Sequence, residues 1–159
     1  MLAAVIVSVV MVSCSNRTEL DPSVNELTLK TLSGTDVTIG DSRGPTLVNF
    51  WSTSCVICVK EMPHLADFYE THNPDGFQII AVAMPYDPPN EVLELAKLLQ
   101  LPFPVALDIK GEASAAFGSI KGTPTSFLLD ADGKLVSRYI GALDLDKLEK
   151  QVAQLLGTG

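Results

Sequence analysis

Histidine and cysteine are scarce in this chain of 159 residues, with two of the first and three of the second. That scarcity limits metal chemistry, because a structural zinc site wants four ligands, as two cysteine pairs or one pair with two histidines. His64 and His72 both fall in one helix-like stretch. At a rise of about 1.5 Å per residue His72 lies roughly 20 Å along from Cys58, so the two cannot complete one tetrahedral shell in a monomer. Basic residues are outnumbered, 11 Lys and Arg against 19 Asp and Glu, for a formal charge of −8 and a pI near 4.6. Nucleic-acid binding calls for a basic stripe, so this balance argues against it. Phosphate-binding glycine loops, cofactor cradles, internal repeats and low-complexity tracts are all missing. The leading apolar run, residues 1–13, stops at Cys14 and is short of the roughly 20 residues a spanning helix needs.

That run has instead the length of a signal-peptide core followed by small residues. Met11-Val12-Ser13-Cys14 has the form of a lipobox, in which Cys14 is lipidated and becomes the mature N-terminus. Ser15 is compatible with onward transport to an outer membrane, and no Lys or Arg precedes the run. The alternative is an uncleaved hydrophobic anchor with Cys14 left as an odd cysteine. Either reading puts residues 20–159 outside the cytoplasm, where disulfides persist. The expected organisation is a signal peptide and lipobox at 1–14, a tether at 15–24, and one domain at 25–159.

What the chain does have is Cys55-Val56-Ile57-Cys58, directly behind the strand-like Thr46-Leu47-Val48-Asn49-Phe50-Trp51 and opening a helix-like stretch at 56–72. A cysteine at a helix N-terminus meets unpaired backbone N–H groups and the positive end of the dipole, which favour thiolate over thiol. The thiolate is the reactive species, so this placement makes Cys55 a nucleophile and a good leaving group. Helical i, i+3 spacing brings the two Cβ atoms to roughly 5–6 Å, within adjustment of disulfide geometry. Such a pair can open and close without unfolding the chain.

The rest of the sequence alternates. Leu27–Leu29 and Val37–Ile39 flank Ser33-Gly34 as a hairpin. The continuous apolar run at 46–51 predicts a strand buried on both faces, as in a parallel sheet. Phe77–Ala83 predicts the next strand, and Asn90–Gln100 an amphipathic helix capped by Asn90. A short strand at 104–107 and a short helix at 112–117 follow. Ser126–Leu129 and Lys134–Ile140 pair across Asp130-Ala131-Asp132-Gly133, and Asp144–Leu156 forms a last helix ending near Gly157. Helices on both faces of a central mixed sheet are expected.

Three further landmarks accompany the cysteines: Glu61, three residues after Cys58; Pro63, inside the helical pattern, where it removes a hydrogen bond and predicts a kink; and Gly122-Thr123-Pro124-Thr125 before a strand. Together with Trp51 and the Cys-x-x-Cys they resemble the thioredoxin superfamily, and within it the TlpA/ResA-like thiol–disulfide oxidoreductases of bacterial envelopes. The resemblance covers about residues 25–157. It implies an α/β, thioredoxin-like fold, a central mixed sheet with helices on both faces and an N-terminal β-hairpin extension. It implies Cys55 as the attacking cysteine, Cys58 as the resolving one, and Trp51, Thr123 and Pro124 at the substrate, with Pro124 in the cis form. It also implies protein substrates with cysteine pairs or disulfides, a membrane thiol-transfer electron donor, attachment through a lipid anchor, a monomeric state, no cofactor and no resident metal, in a setting such as cytochrome c maturation.

Glu61 shares a helical face with Cys58. A partly buried carboxylate there could take the proton Cys58 gives up on resolution, and desolvation would raise its pKa toward that task. Asn49 stands where classical thioredoxins carry a buried aspartate. The sequence departs from the family at Ser54, where an aromatic is usual, and in the apolar, stiff Val56-Ile57 dipeptide. The proline-rich Met84-Pro85-Tyr86-Asp87-Pro88-Pro89 reads as a rigid turn first and a partner-contacting surface second. Two other functions stay open. A copper-binding thioredoxin-like assembly factor would use both thiolates, although such proteins use a later histidine and none follows His72. A thiol peroxidase is echoed by Ser52-x-x-Cys55, although position 48 is Val48 and not the proline those enzymes carry.

Overall fold

The computed structural model describes Leu20, residues 22–42 and residues 44–157; the expected leader, Cys14 and most of the expected tether lie outside the described residues. The tether boundary needs correction at its C-terminal end. Pro22–Glu26 form a 3-10 helix and Val24 is buried in the core, because an apolar side chain placed beside an exposed core face gains by burial.

The elements, in chain order, are β1 (Thr28–Lys30), β2 (Asp36–Thr38), β3 (Thr46–Trp51), α1 (Val56–His72), β4 (Gln78–Ala83), α2 (Pro89–Leu98), β5 (Val105–Leu107), α3 (Glu112–Ala116), β6 (Thr125–Leu129), β7 (Leu135–Ile140) and α4 (Leu145–Leu156). β1 and β2 form a two-stranded hairpin, and the other strands form one sheet in the order β5-β4-β3-β6-β7. β3 pairs in parallel with β4 and antiparallel with β6, so the sheet is mixed. Each residue of β3 is buried, as its unbroken apolar pattern predicts.

Right-handed crossovers decide which helix covers which face. The steps from β3 to β4 and from β4 to β5 run the same way across the sheet, so α1 and α2 share a face. There Leu47, Trp51, Ile79, Ala81 and Ala83 pack with Met62, Leu65 and Phe68 of α1, Val92 of α2, and Leu148 and Val152 of α4. On the opposite face Val48, Phe50, Ile80, Val82 and Phe127 pack with Phe117, Ala113, Leu29 and Ile39. The hairpin is not a loose appendage. Leu32 N–H donates to the Val105 carbonyl at 2.8 Å, which closes part of the free edge that β5 would otherwise present.

One helix boundary differs from expectation for a local reason. Asn90 is not a cap: α2 starts at Pro89, with Pro88 as the residue before the first turn. Proline suits that first position because its fixed φ is already helical and its absent N–H would have had no partner. α1 runs as one helix over the expected residues, Val56 to His72, with Pro63 on its exposed side. At the far end of the chain Asp144 accepts the Lys147 N–H at 3.0 Å, capping α4, and Gly157 closes it at φ 72°.

Candidate active site

The C-terminal ends of the parallel strands β3, β4 and β5 lie side by side, the usual place for a site in such sheets. From them come the turn Ser52–Cys55, the loop Met84–Pro88 and the stretch Asp108–Gly111. β6 runs antiparallel to β3 with Thr125 opposite Phe50, which brings Thr123 and Pro124 to the same edge.

Cys55 is the N-cap of α1, and its sulfur accepts the Cys58 N–H at 3.2 Å. A disulfide joins Cys55 to Cys58, with Cα atoms 5.2 Å apart. The two sulfurs have unequal surroundings: Cys55 is half-buried, whereas Cys58 is 1% exposed among Trp51, Met62 and Leu65. Between them Val56 and Ile57 are 66% and 53% exposed, an apolar rim beside the reactive sulfur. The Thr123–Pro124 peptide bond is cis, and the Thr123 carbonyl oxygen lies 3.5 Å from Cys55 Sγ.

Trp51 is placed differently from the expectation that it meets substrate. It is fully buried as the last residue of β3, because its side chain alternates to the same face as Leu47 and lies beneath α1. Its indole Nε1 and Asn49 Oδ1 are buried without a hydrogen-bond partner, while Asn49 Nδ2 donates to Ser126 Oγ at 2.9 Å.

One turn after Cys58, Glu61 is 9% exposed. Its Oε1 accepts the Leu143 N–H at 2.6 Å, which ties α1 to the segment between β7 and α4. Burial pushes its carboxyl above the usual 4.5, while the Leu143 N–H and the nearby charge of His64 pull the other way. A carboxyl raised in this manner releases and takes its proton closer to neutrality than an exposed one.

Asp87 was not singled out from the sequence. It is 8% exposed and its oxygens accept from the Ser52 hydroxyl at 2.8 Å, the Thr53 N–H at 2.9 Å and the Thr53 hydroxyl at 3.3 Å. The one local signal was an acidic residue set among prolines directly after a buried strand. Tyr86 beside it is 63% exposed. His72 lies away from the cysteines: its Nε2 meets Glu149 at 2.7 Å at the far end of α1. Among the described residues no three of His, Cys, Asp and Glu gather as a metal-binding group.

Known proteins resemble this chain in sequence and fold. Residues 11–156 match the family model described as Redoxin. The chain is 33% identical over 135 residues to sporulation thiol-disulfide oxidoreductase A of Bacillus subtilis, covering 83% of this chain and 81% of that protein. It is 31% identical over 144 residues to the thiol-disulfide oxidoreductase ResA of Bacillus cereus, covering 90% of this chain and 82% of that one. Among solved structures, StoA of Bacillus subtilis superposes with a TM-score of 0.69 at 31% identity, over 78% of this chain and 93% of that chain. A thiol:disulfide interchange protein of the thioredoxin family from Chlorobium tepidum gives a TM-score of 0.74 at 26% identity, over 82% and 93%.

Proposed function

We propose that this chain, which belongs to the Redoxin family and to its thiol–disulfide oxidoreductases of ResA and StoA type, is a reductase of protein disulfides held outside the cytoplasm at a bacterial membrane. The observation that carries the reading is the asymmetry of the pair, an accessible Cys55 at a helix N-cap joined to a buried Cys58. In the reduced protein the Cys55 thiolate attacks one sulfur of a substrate disulfide and expels the other as a thiolate, forming a mixed disulfide. The Cys58 thiolate then attacks Cys55 Sγ. The Cys55–Cys58 bond closes, the substrate leaves as a dithiol, and two electrons have passed to it. Glu61 takes the Cys58 proton in this second step and stands in the resting protein as its carboxylic acid or carboxylate according to pH. The Thr123 backbone, 3.5 Å from Cys55 Sγ, and cis-Pro124 border the space a substrate strand would occupy. A membrane thiol-transfer protein resupplies the two electrons.

Three experiments test this. Cys58→Ser should accumulate a mixed disulfide through Cys55 that reducing agents release, and Cys55→Ser should accumulate none; equal trapping by both variants would sink the assignment of roles. The reduction potential of the couple should lie near the thioredoxin value of about −270 mV, and a value near −120 mV would make the chain an oxidant instead. Lipid attachment is read from the 1–13 run and Cys14. Fatty-acid label incorporated by the wild-type chain and lost in Cys14→Ser supports it, and equal labelling of both chains refutes it.

A further inference from the structure

We propose that Asp87 is a positioning residue for Cys55: its buried carboxylate holds the three-residue turn that sets the nucleophile at the N-cap of α1. The inference rests on the thiol–disulfide reading above and adds a residue to it. Between the last residue of β3 and Cys55 lie only Ser52, Thr53 and Ser54, and the chain must pass there from extended strand into a helix. Three successive backbone N–H groups, from Thr53 to Cys55, have partners at this turn. Thr53 N–H goes to Asp87 Oδ2 at 2.9 Å, Ser54 N–H to the Ser52 hydroxyl oxygen at 3.3 Å, and Cys55 N–H to the Ser52 carbonyl at 3.1 Å. The Ser52 hydroxyl is itself given to Asp87 Oδ1 at 2.8 Å, and its oxygen lies 2.9 Å from Ser54 Oγ. Each of these turn hydrogen bonds therefore runs to Asp87 directly or through Ser52.

The anchor is firm at its other end. Asp87 N–H donates to the Met84 carbonyl at 3.0 Å, and Met84 N–H donates to the Trp51 carbonyl at 3.1 Å. Two residues on, Pro89 starts α2. The loop is thus fixed to the end of β3 from behind while its carboxylate grips the turn from the side. Ser52 is 1% exposed, so with Asp87 gone its hydroxyl has little access to water, and the turn must move to satisfy it and the half-buried Thr53 N–H. A shift of about 1 Å at a reacting group is enough to cost on the order of 100-fold in rate. Here such a shift would separate Cys55 Sγ from the Cys58 N–H that favours its thiolate.

A loop staple with no bearing on chemistry would change stability alone, so the test reads the sulfur. Iodoacetamide alkylation of reduced Cys55 is followed against pH in the full chain and in Asp87→Asn, Asp87→Ala and Ser52→Ala, well below each unfolding midpoint. Asn and Ala both remove the charge, but Asn keeps the shape and an acceptor oxygen for Thr53 N–H; their ratio is therefore free of the charge effect. Asp87→Ala is expected to react at least fivefold more slowly than Asp87→Asn at pH 7, and Ser52→Ala severalfold more slowly than wild type. The dithiol–disulfide equilibrium of Asp87→Ala should move by about tenfold, roughly 30 mV for this two-electron couple. Equal rates for Asn and Ala, with Ser52→Ala at the wild-type rate, would overturn the proposal. Alkylation needs no exchange partner, so a wild-type chain that fails to exchange with protein disulfides would sink the functional reading and leave this measurement standing.

Discussion

Two buried carboxylates flank the cysteines, and they are satisfied differently. Glu61 lies behind Cys58 and receives one backbone N–H, from Leu143. Asp87 lies behind Cys55 and receives three donors, from Ser52 and Thr53. One donor does not offset desolvation, and the Glu61 carboxyl is raised above its ordinary value. That suits a group that must exchange a proton with Cys58. Three donors spread over two residues make Asp87 a clamp, because its oxygens are occupied in holding the turn. The number and spread of donors, more than depth, separates a proton acceptor from a brace.

The sharpest way to break this comparison is to neutralise Glu61. General-base assistance by a positioned side chain is worth about 10²-fold or more, so Glu61→Gln should slow resolution of the mixed disulfide by roughly that factor while leaving the Cys55 attack close to wild type. Stopped-flow release of a fluorescent thiol separates the two steps, and a Gln variant that resolves at the wild-type rate would leave Glu61 a structural tie to Leu143. The converse change, Asp87→Ala, should cost stability most: stranding buried donors costs about 2–3 kcal/mol, read as a lower urea midpoint with unchanged slope. A smaller effect is expected from Ser126→Ala, which removes the acceptor of Asn49 Nδ2 and should cost about 1 kcal/mol in the same assay.

How legible each carboxylate was in the sequence follows from how far away its partners are. Glu61 announces itself by i, i+3 spacing from Cys58, a relation that a helix fixes whatever the tertiary structure does. Its burial did not announce itself, since that depends on Leu143, 82 positions away. Asp87 is tied to Ser52 across 35 positions and a strand crossover, and no local pattern encodes that contact. The strands and α1 were readable from apolar runs and the motif between them. The start of α2 was not, because Asn90 competes as a cap with a proline pair whose geometry favours helix initiation one residue earlier. Trp51 shows the same limit from the other side: its place beside the cysteines is plain in the sequence, but which face of β3 it occupies follows from the sheet, and that face is the core.

The smallest expected effect is the pH dependence that Glu61 contributes to stability. Glu61 has a folded pKa above its ordinary value of 4.5, with burial as the leading cause. Between those two values the native state binds more of this proton than the unfolded chain does, so stability falls as pH rises. The contribution is complete below pH 4.5 and is lost as pH climbs through the raised folded value. Urea midpoints measured across that window should decline in the wild-type protein more than in Glu61→Gln, which carries no titrating proton there. The decline is modest because the Leu143 N–H and the His64 charge oppose burial. Both proteins must be compared with the disulfide closed, since reduction would add the thiols of Cys55 and Cys58 to the titration. Parallel curves would mean that Glu61 does not carry a raised pKa in the fold, and the proton-acceptor half of the comparison would fall while the brace at Asp87 remained.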